Sequence, residues 1–337
     1  MLNPLLEIRN LKTYYMTEMG IVKALDGINL KLKRGEILGV AGETGSGKTT
    51  LALSILRILP PNAEIVSGEI IFDGTNLLSL EEEVMRDFRQ KRISLIIQGT
   101  SKVLNPLMSV GWQIAEAIEY HEDLQKEEVL GRVKKVLEDT QLGDSWMLSL
   151  PDELSVGGRQ RVKIALALST YPDLIVADEP FMGLDPPMQV LMMKFLKTLY
   201  DKYKFSMILL SHNLGLLAEF CDSMAIMYAG KILEHSTTEM IFKHPIHPYT
   251  KGLVGALPDP RHPKKKRLIY IPGNPPSSIN PPEGCRFWPR CPFAKDVCKK
   301  IEPMLREING NLVACHFADQ MADISPWELW TEEIAFY

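Results

Sequence analysis

Glu36-Ile37-Leu38-Gly39-Val40-Ala41-Gly42-Glu43-Thr44-Gly45-Ser46-Gly47-Lys48-Thr49-Thr50 decides the reading of this chain. Residues Gly42 to Thr49 fit the spacing G-x-x-x-x-G-K-[ST]. An apolar, strand-like run precedes them, and the helix-like run Thr50-Leu51-Ala52-Leu53-Ser54-Ile55-Leu56 follows. That strand–loop–helix context marks a phosphate-binding loop. Glycines let backbone N–H groups curl around phosphates, and a helix N-terminus adds a favourable dipole. Lys48 is placed to meet the β- and γ-phosphates of a nucleotide, and the Thr49 hydroxyl to meet Mg²⁺. A glycine-rich turn without a ligand is the plain alternative, and Lys-Thr in register weighs against it.

Working outward, 337 residues imply about two domains at ~150 residues each. An apolar content of 45% supports sizeable cores. A formal net charge of −4 leaves no electrostatic footprint for nucleic acid. No run reaches the ~18 apolar residues of a membrane span. The start, Met1-Leu2-Asn3-Pro4-Leu5-Leu6-Glu7, lacks a basic n-region and a cleavage site. The expected location is therefore cytosolic, with any membrane role arriving through a partner.

Residues 5–15 and 26–33 alternate apolar and polar, as half-buried strands do. Pro60-Pro61 is expected to end the first helix. Further strand-like runs are Glu69–Phe72, Ile93–Ile97, Leu174–Ala177 and Ser206–Leu210. Helical patterns cover about 112–142, 156–170 and 188–203, and a hairpin is expected around Ala229-Gly230. Strands alternating with helices indicate an α/β fold with a largely parallel sheet. Proline becomes dense after about residue 257, which places a domain boundary there. The run Lys264-Lys265-Lys266-Arg267 reads as a solvated linker.

Two further elements carry chemistry. The apolar strand before Asp178-Glu179-Pro180 delivers two carboxylates to a sheet edge. Asp178 suits Mg²⁺, and Glu179 suits orienting and deprotonating an attacking water. Leu154-Ser155-Val156-Gly157-Gly158-Arg159-Gln160-Arg161 opens a helix. This run resembles the signature motif L-S-G-G-x-x-Q/R-R of ATP-binding-cassette (ABC) proteins. Other parts of that pattern follow in order: Tyr15 at the adenine-stacking position, Gln98 at the Q-loop, Gly183-Leu184-Asp185 at the loop facing an opposite subunit, and Ser211-His212-Asn213 at the switch-histidine region. Tyr14 beside Tyr15 leaves the stacking residue open between neighbours.

The resemblance implies an ABC cassette: a RecA-like P-loop core with an antiparallel β subdomain and a helical subdomain at about 100–170. It occupies 1–257 and is followed by a small Cys-rich extension at 258–337. ATP with Mg²⁺ is the implied ligand, held by Tyr15 and by Gly42, Glu43, Thr44, Gly45, Ser46, Gly47, Lys48, Thr49 and Thr50. Thr49, Gln98 and Asp178 are the implied Mg²⁺ ligands. Glu179, His212 and Gln98 are the implied catalytic group. In the family the signature of one subunit closes over the partner's nucleotide, so Ser155 and Gly157 are expected to act on the partner's ATP. A second ATPase subunit is thus a required partner, and a heterodimer is expected.

This chain departs from the pattern twice. Val156 stands where the first signature glycine belongs, and its β-branched side chain adds bulk and stiffness. The nucleotide site completed by this signature is expected to be impaired. Gly99-Thr100 replaces the subfamily's aspartate–proline pair, although Leu104-Asn105-Pro106 matches.

Cys285, Cys291, Cys298 and Cys315 cluster near the C-terminus with spacing C-x5-C-x6-C-x16-C, while Cys221 stands apart as a small buried hydrophobe. In a reducing compartment such a cluster favours metal over disulfides. With Ile271-Pro272-Gly273-Asn274-Pro275-Pro276 and His247-Pro248-Tyr249-Thr250, the segment resembles the C-terminal extension of oligopeptide/dipeptide importer ATPases. That subfamily implies a [4Fe–4S] cluster on the four cysteines. Zn²⁺ is the alternative, although zinc more often takes short C-x2–4-C pairs. His316 is expected to be a neighbour of the cluster, not a ligand.

The expected function is an ATPase subunit powering an ABC importer for peptides or related solutes, such as nickel complexes or oligosaccharides. Its partners are then two permease subunits and, through them, an extracytoplasmic solute-binding protein. It would sit peripherally on the cytoplasmic face of the membrane. The alternatives are a soluble ABC ATPase acting on nucleic acid or ribosomes, and a redox-sensing regulatory module. The acidic balance opposes the first, and an intact Asp178-Glu179 pair opposes the second.

Overall fold

A computed structural model of the chain describes residues 3–97, 103–258 and 268–330. In chain order it opens with strands β1 (Leu6–Thr17), β2 (Gly20–Leu32) and β3 (Ile37–Ala41), then helix α1 (Lys48–Leu56) and strands β4 (Ala63–Phe72) and β5 (Thr75–Asn76). Next come α2 (Glu82–Phe88), β6 (Ile93–Ile96), α3 (Val110–His121), α4 (Lys126–Asp139) and α5 (Val156–Leu168). There follow β7 (Leu174–Asp178), α6 (Pro186–Tyr203), β8 (Ser206–Ser211), α7 (Leu214–Phe220), β9 (Ser223–Tyr228) and β10 (Lys231–Thr237). The chain closes with α8 (Thr238–Lys243), α9 (Pro248–Gly255), α10 (Asp296–Lys300), β11 (Arg306–Ile308), β12 (Asn311–Val313), α11 (Ala318–Ala322) and α12 (Pro326–Leu329).

Two compact units emerge, one of residues 1–32, 37–75 and 211–337, the other of 33–36 and 76–210. Residues beyond 257 thus belong to the same unit as the N-terminal strands. In this first unit β1 pairs antiparallel with β2 and β4. Leu6, Ile8 and Leu11 of β1 are buried, while Glu7 lies toward solvent in ion pairs with Arg9 and Lys31. A second sheet carries β11, β12, β10, β9 and β3 in that order. There β3 and β9 run parallel, and both consist entirely of buried residues, as expected of a strand covered on both faces. The hairpin at Ala229-Gly230 joins β9 to β10. Helix α1 stops at Leu56, four positions before Pro60, because Arg57 turns left-handed at φ 53°.

In the second unit β6, β7 and β8 run parallel. The region read as helical at about 112–142 is two helices. Val110, Ile114 and Ile118 of α3 pack with Val129, Val133, Val136 and Leu137 of α4 and with Val162 of α5 in one core. Their spacing of three, four and seven is the apolar stripe of an amphipathic helix.

Candidate nucleotide site

In the first unit, β3 delivers the chain to Gly42, and the turn to α1 can be made only by glycine at two points. A Cβ on Gly42 would lie 2.2 Å from the Met227 carbonyl oxygen, and one on Gly47 2.4 Å from that of Ala24. Gly47 also holds φ 107°, a left-handed conformation that glycine adopts without strain. No side chain caps α1, so its first-turn N–H groups remain available at the loop. Lys48, 7% exposed, donates to the carbonyls of Gly42 at 2.8 Å and Glu43 at 3.1 Å. Ser46 Oγ is buried with no hydrogen-bond partner among the described residues. Uncapped N–H groups, a lysine folded back on the loop and an orphaned hydroxyl together make a cradle for phosphate. Thr44, Gly45 and Thr49 are exposed.

The neighbouring tyrosines separate. The Tyr14 hydroxyl donates to Asp26 Oδ1 at 2.8 Å, whereas the Tyr15 hydroxyl lies 3.2 Å from Thr50 Oγ1 on the first turn of α1. Tyr15 is therefore the aromatic beside the loop. His212 is exposed on the turn between β8 and α7. That turn is held by the Asn213 N–H donating to Ser211 Oγ and by the Asn213 side chain capping α7.

In the second unit, Asp178 ends β7 almost fully buried. Glu179 follows at φ 44°, with its N–H donating to the Leu210 carbonyl at 3.0 Å. A left-handed non-glycine residue at the end of a core strand is strain that the surroundings must hold in place. Ser155 caps α5 by accepting from Gly158 N at 3.1 Å, and Val156 is the first helical residue, 38% exposed. A Cβ on Gly157 would meet nothing within 4 Å, so the described fold does not itself demand glycine there. Asp185 caps α6. Gln98 lies outside the described residues, as do Gly99, Thr100 and the Lys264–Arg267 run.

The four C-terminal cysteines, drawn from separate segments, line one cavity of about 20 Å³ in the first unit with Phe287, Trp288, Phe293 and Phe317. Cys285 N donates to the Cys298 carbonyl at 2.8 Å. Burial pushes the thiol of Cys285 up to about 12, that of Cys315 up to about 11, and that of Cys291 higher still. Among the described residues no group of three or more His, Cys, Asp or Glu side chains is placed to hold a metal ion. The four cysteines converge on this apolar gap and are the residues that would hold a metal ion or cluster. His316 Nε2 is engaged by the Ile301 carbonyl at 2.8 Å.

The family model for ABC transporters matches residues 25–182, and that for the oligopeptide/dipeptide transporter C-terminal region matches 233–298. A probable peptide ABC transporter ATP-binding protein of Sinorhizobium fredii is 40% identical, over 95% of this chain and 97% of the relative. An oligopeptide transport ATP-binding protein of Haemophilus influenzae is 38% identical, over 93% and 97%. The chain belongs to the ABC transporter ATP-binding protein family. Its cassette is an ABC-type ATPase that powers transport. Among solved structures, a dimeric bacterial ABC transporter cassette superimposes with TM-score 0.62 at 25% identity, covering 69% of this chain and 98% of that one. A cassette of Clostridium perfringens superimposes with TM-score 0.63 at 26% identity, covering 72% and 91%. Relatives named for peptide transport leave the nucleic-acid or ribosome reading without support. No helix among the described residues is long and apolar enough to cross a membrane.

Sequence reading missed several polar residues that the first unit brings together. Arg290 ion-pairs with Glu43 of the phosphate loop. Asp26 accepts from Tyr14 and pairs with Lys231 and the buried Arg286. Glu234, wholly buried, accepts from the N–H groups of Ile246 and His247, both at 2.9 Å. Arg286 and Arg290 lie in the run between Cys285 and Cys291, while Asp26 and Glu234 sit in no recognisable motif. The only available signal was charge at positions otherwise rich in apolar neighbours.

Proposed function

We propose that this cassette is the ATP-hydrolysing subunit of an importer for peptides or related solutes, nickel complexes and oligosaccharides included. The carrying observation is the glycine-only cradle at Gly42 and Gly47 with Lys48 folded into it, in a chain whose relatives are named for peptide transport. Gly42–Thr50 bind the phosphates through backbone N–H groups and Lys48, while Tyr15 presents a flat face to adenine. Thr49 and Asp178 hold Mg²⁺, with Gln98 as a further ligand. That ion, when bound, neutralises charge developing on the phosphates. Glu179 orients and deprotonates the attacking water, and His212 donates to the γ-phosphate. Catalysis of this kind is chiefly positioning and charge stabilisation.

Ser155 and Gly157 reach the partner subunit's ATP. The open space around Gly157 supports that role, because close backbone approach from outside explains a glycine the fold does not require. Closure on two ATP molecules and reopening after hydrolysis drive the permeases, with the segment after Gln98 as the coupling surface. Val156 favours a heterodimer, in which a second ATPase supplies an intact signature. The cassette lies peripherally on the cytoplasmic face and acts on two permeases, which receive solute from an extracytoplasmic binding protein. The 258–337 extension carries a [4Fe–4S] cluster on Cys285, Cys291, Cys298 and Cys315. The four thiols line one cavity, and their C-x5-C-x6-C-x16-C spacing suits that donor set better than a single zinc ion, which more often takes short C-x2–4-C pairs; the cluster staples a segment poor in core residues.

Two variants in the assembled transporter test the reading. Glu179→Gln is expected to lower kcat by about 10²-fold or more while MgATP still binds. Lys48→Ala is expected to abolish binding. Turnover unchanged in both, or no stimulation of ATPase by peptide-loaded binding protein, would sink the proposal.

A further inference from the structure

Glu43 is the second residue of the phosphate loop, and every polar group it owns is engaged. Its carboxylate takes Arg290 Nη1 on both oxygens, each at 3.0 Å. Its N–H donates to the Tyr249 hydroxyl at 3.3 Å. Its carbonyl accepts from Lys48 Nζ at 3.1 Å and from Ser46 N at 3.1 Å. Arg290 and Tyr249 come from the part of the chain 200 or more positions away.

Arg290 is itself held on several sides. Its side chain is 7% exposed. Nε donates to the Pro272 carbonyl at 2.9 Å, and Nη1 also donates to the Tyr228 hydroxyl at 3.2 Å. Burial pulls against its charge, yet the Tyr228 hydroxyl and the Glu43 carboxylate hold its pKa above the ordinary value. A guanidinium fixed this way is a rigid anchor, unlike a flexible lysine ammonium. Below it, Tyr228, Tyr249 and Phe287 pack ring against ring, with centroids 4.7 to 5.3 Å apart. Phe287 and Arg290 both lie between Cys285 and Cys291.

We propose that Arg290, with Tyr249, is a positioning residue of the nucleotide site: it clamps Glu43 and so sets the loop that holds Lys48. The cysteine-rich segment then tunes ATP affinity although it touches no phosphate. The proposal rests on the assignment of Gly42–Thr50 to nucleotide binding and goes beyond it by assigning a second segment to the same task. Reach to Glu43 alone is not enough, because Arg290 must also be anchored on Pro272 and Tyr228.

Calorimetric titration of the purified full-length chain with MgATP tests this, alongside steady-state ATPase of the assembled transporter. Arg290→Ala is expected to raise Kd and KM for MgATP about tenfold with kcat changed less than about twofold, the signature of lost ground-state organisation. Arg290→Lys keeps charge without the fork and is expected to fall between parent and Arg290→Ala. Glu43→Gln, which spares the buried anchor, is expected to raise Kd in the same direction. The double variant is expected to be no worse than the worse single one, because both changes remove one interaction. Kd within twofold of the parent for Arg290→Ala and Glu43→Gln would overturn the proposal. If Arg290→Ala fails to fold, Glu43→Gln alone decides. Lys48→Ala separates the two readings: its loss of binding upholds the nucleotide assignment whatever the clamp variants do. Intact binding in Lys48→Ala removes that assignment and the clamp with it.

Discussion

At the scale of single residues, His247 carries a pH dependence that its motif does not announce. It is 1% exposed at the start of α9, and Nδ1 accepts from Tyr249 N at 3.0 Å, which leaves the proton on Nε2. Burial pulls its pKa down to about 3 from the ordinary 6.5. Between those values the unfolded chain binds a proton that the native chain refuses. The stabilising contribution is therefore complete above about pH 6.5 and drains away as pH falls toward 3. From this residue alone, stability at pH 5 is expected to be about 2 kcal/mol below that at pH 7. Denaturant titrations at the two pH values should show this difference shrinking in His247→Asn, which keeps a capping acceptor without the titration. The His247-Pro248-Tyr249-Thr250 run was legible as a subfamily mark, but its burial was not, because a histidine before a proline reads equally well as a surface turn.

At the scale of elements, the start of α5 combines helix capping with the proposed signature role. Ser155 satisfies Gly158 N, so Ser155→Ala is expected to cost about 1 kcal/mol of stability in addition to its effect on turnover. Val156, 38% exposed at the first helical position, has room to be trimmed. Val156→Gly removes bulk from the surface proposed to meet the partner's nucleotide and is expected to raise ATPase of the assembled transporter several-fold. Steady-state turnover measures it, and unchanged turnover would dismiss the impaired-signature idea. The longer elements were visible beforehand because apolar residues recur at helical or strand spacing in α3, α4, α6 and β7. The pairing of β11 and β12 beyond β10 was not, since strands of three residues are too short to show a period.

At the scale of the whole molecule, four cysteines from separate segments line one cavity. Purified without oxygen, the chain is expected to be brown, to absorb near ~400 nm and to carry about four irons, all lost in Cys298→Ser. Zinc without iron in elemental analysis would remove the cluster from the account. What the sequence alone determined is the phosphate loop, the carboxylate pair at the end of β7, the signature-like start of α5 and the alternation of strands and helices. Each of these is written in contiguous residues whose chemistry and period act locally. Only the tertiary structure decided that Tyr15, not Tyr14, lies by α1, and that Arg290 grips Glu43 across 247 positions. The same holds for the C-terminal strands β12 and β11, which extend the sheet beyond β10. Such contacts depend on which surfaces the chain buries together, and a charged residue in a proline-rich stretch carries no local trace of the partner that burial will assign to it.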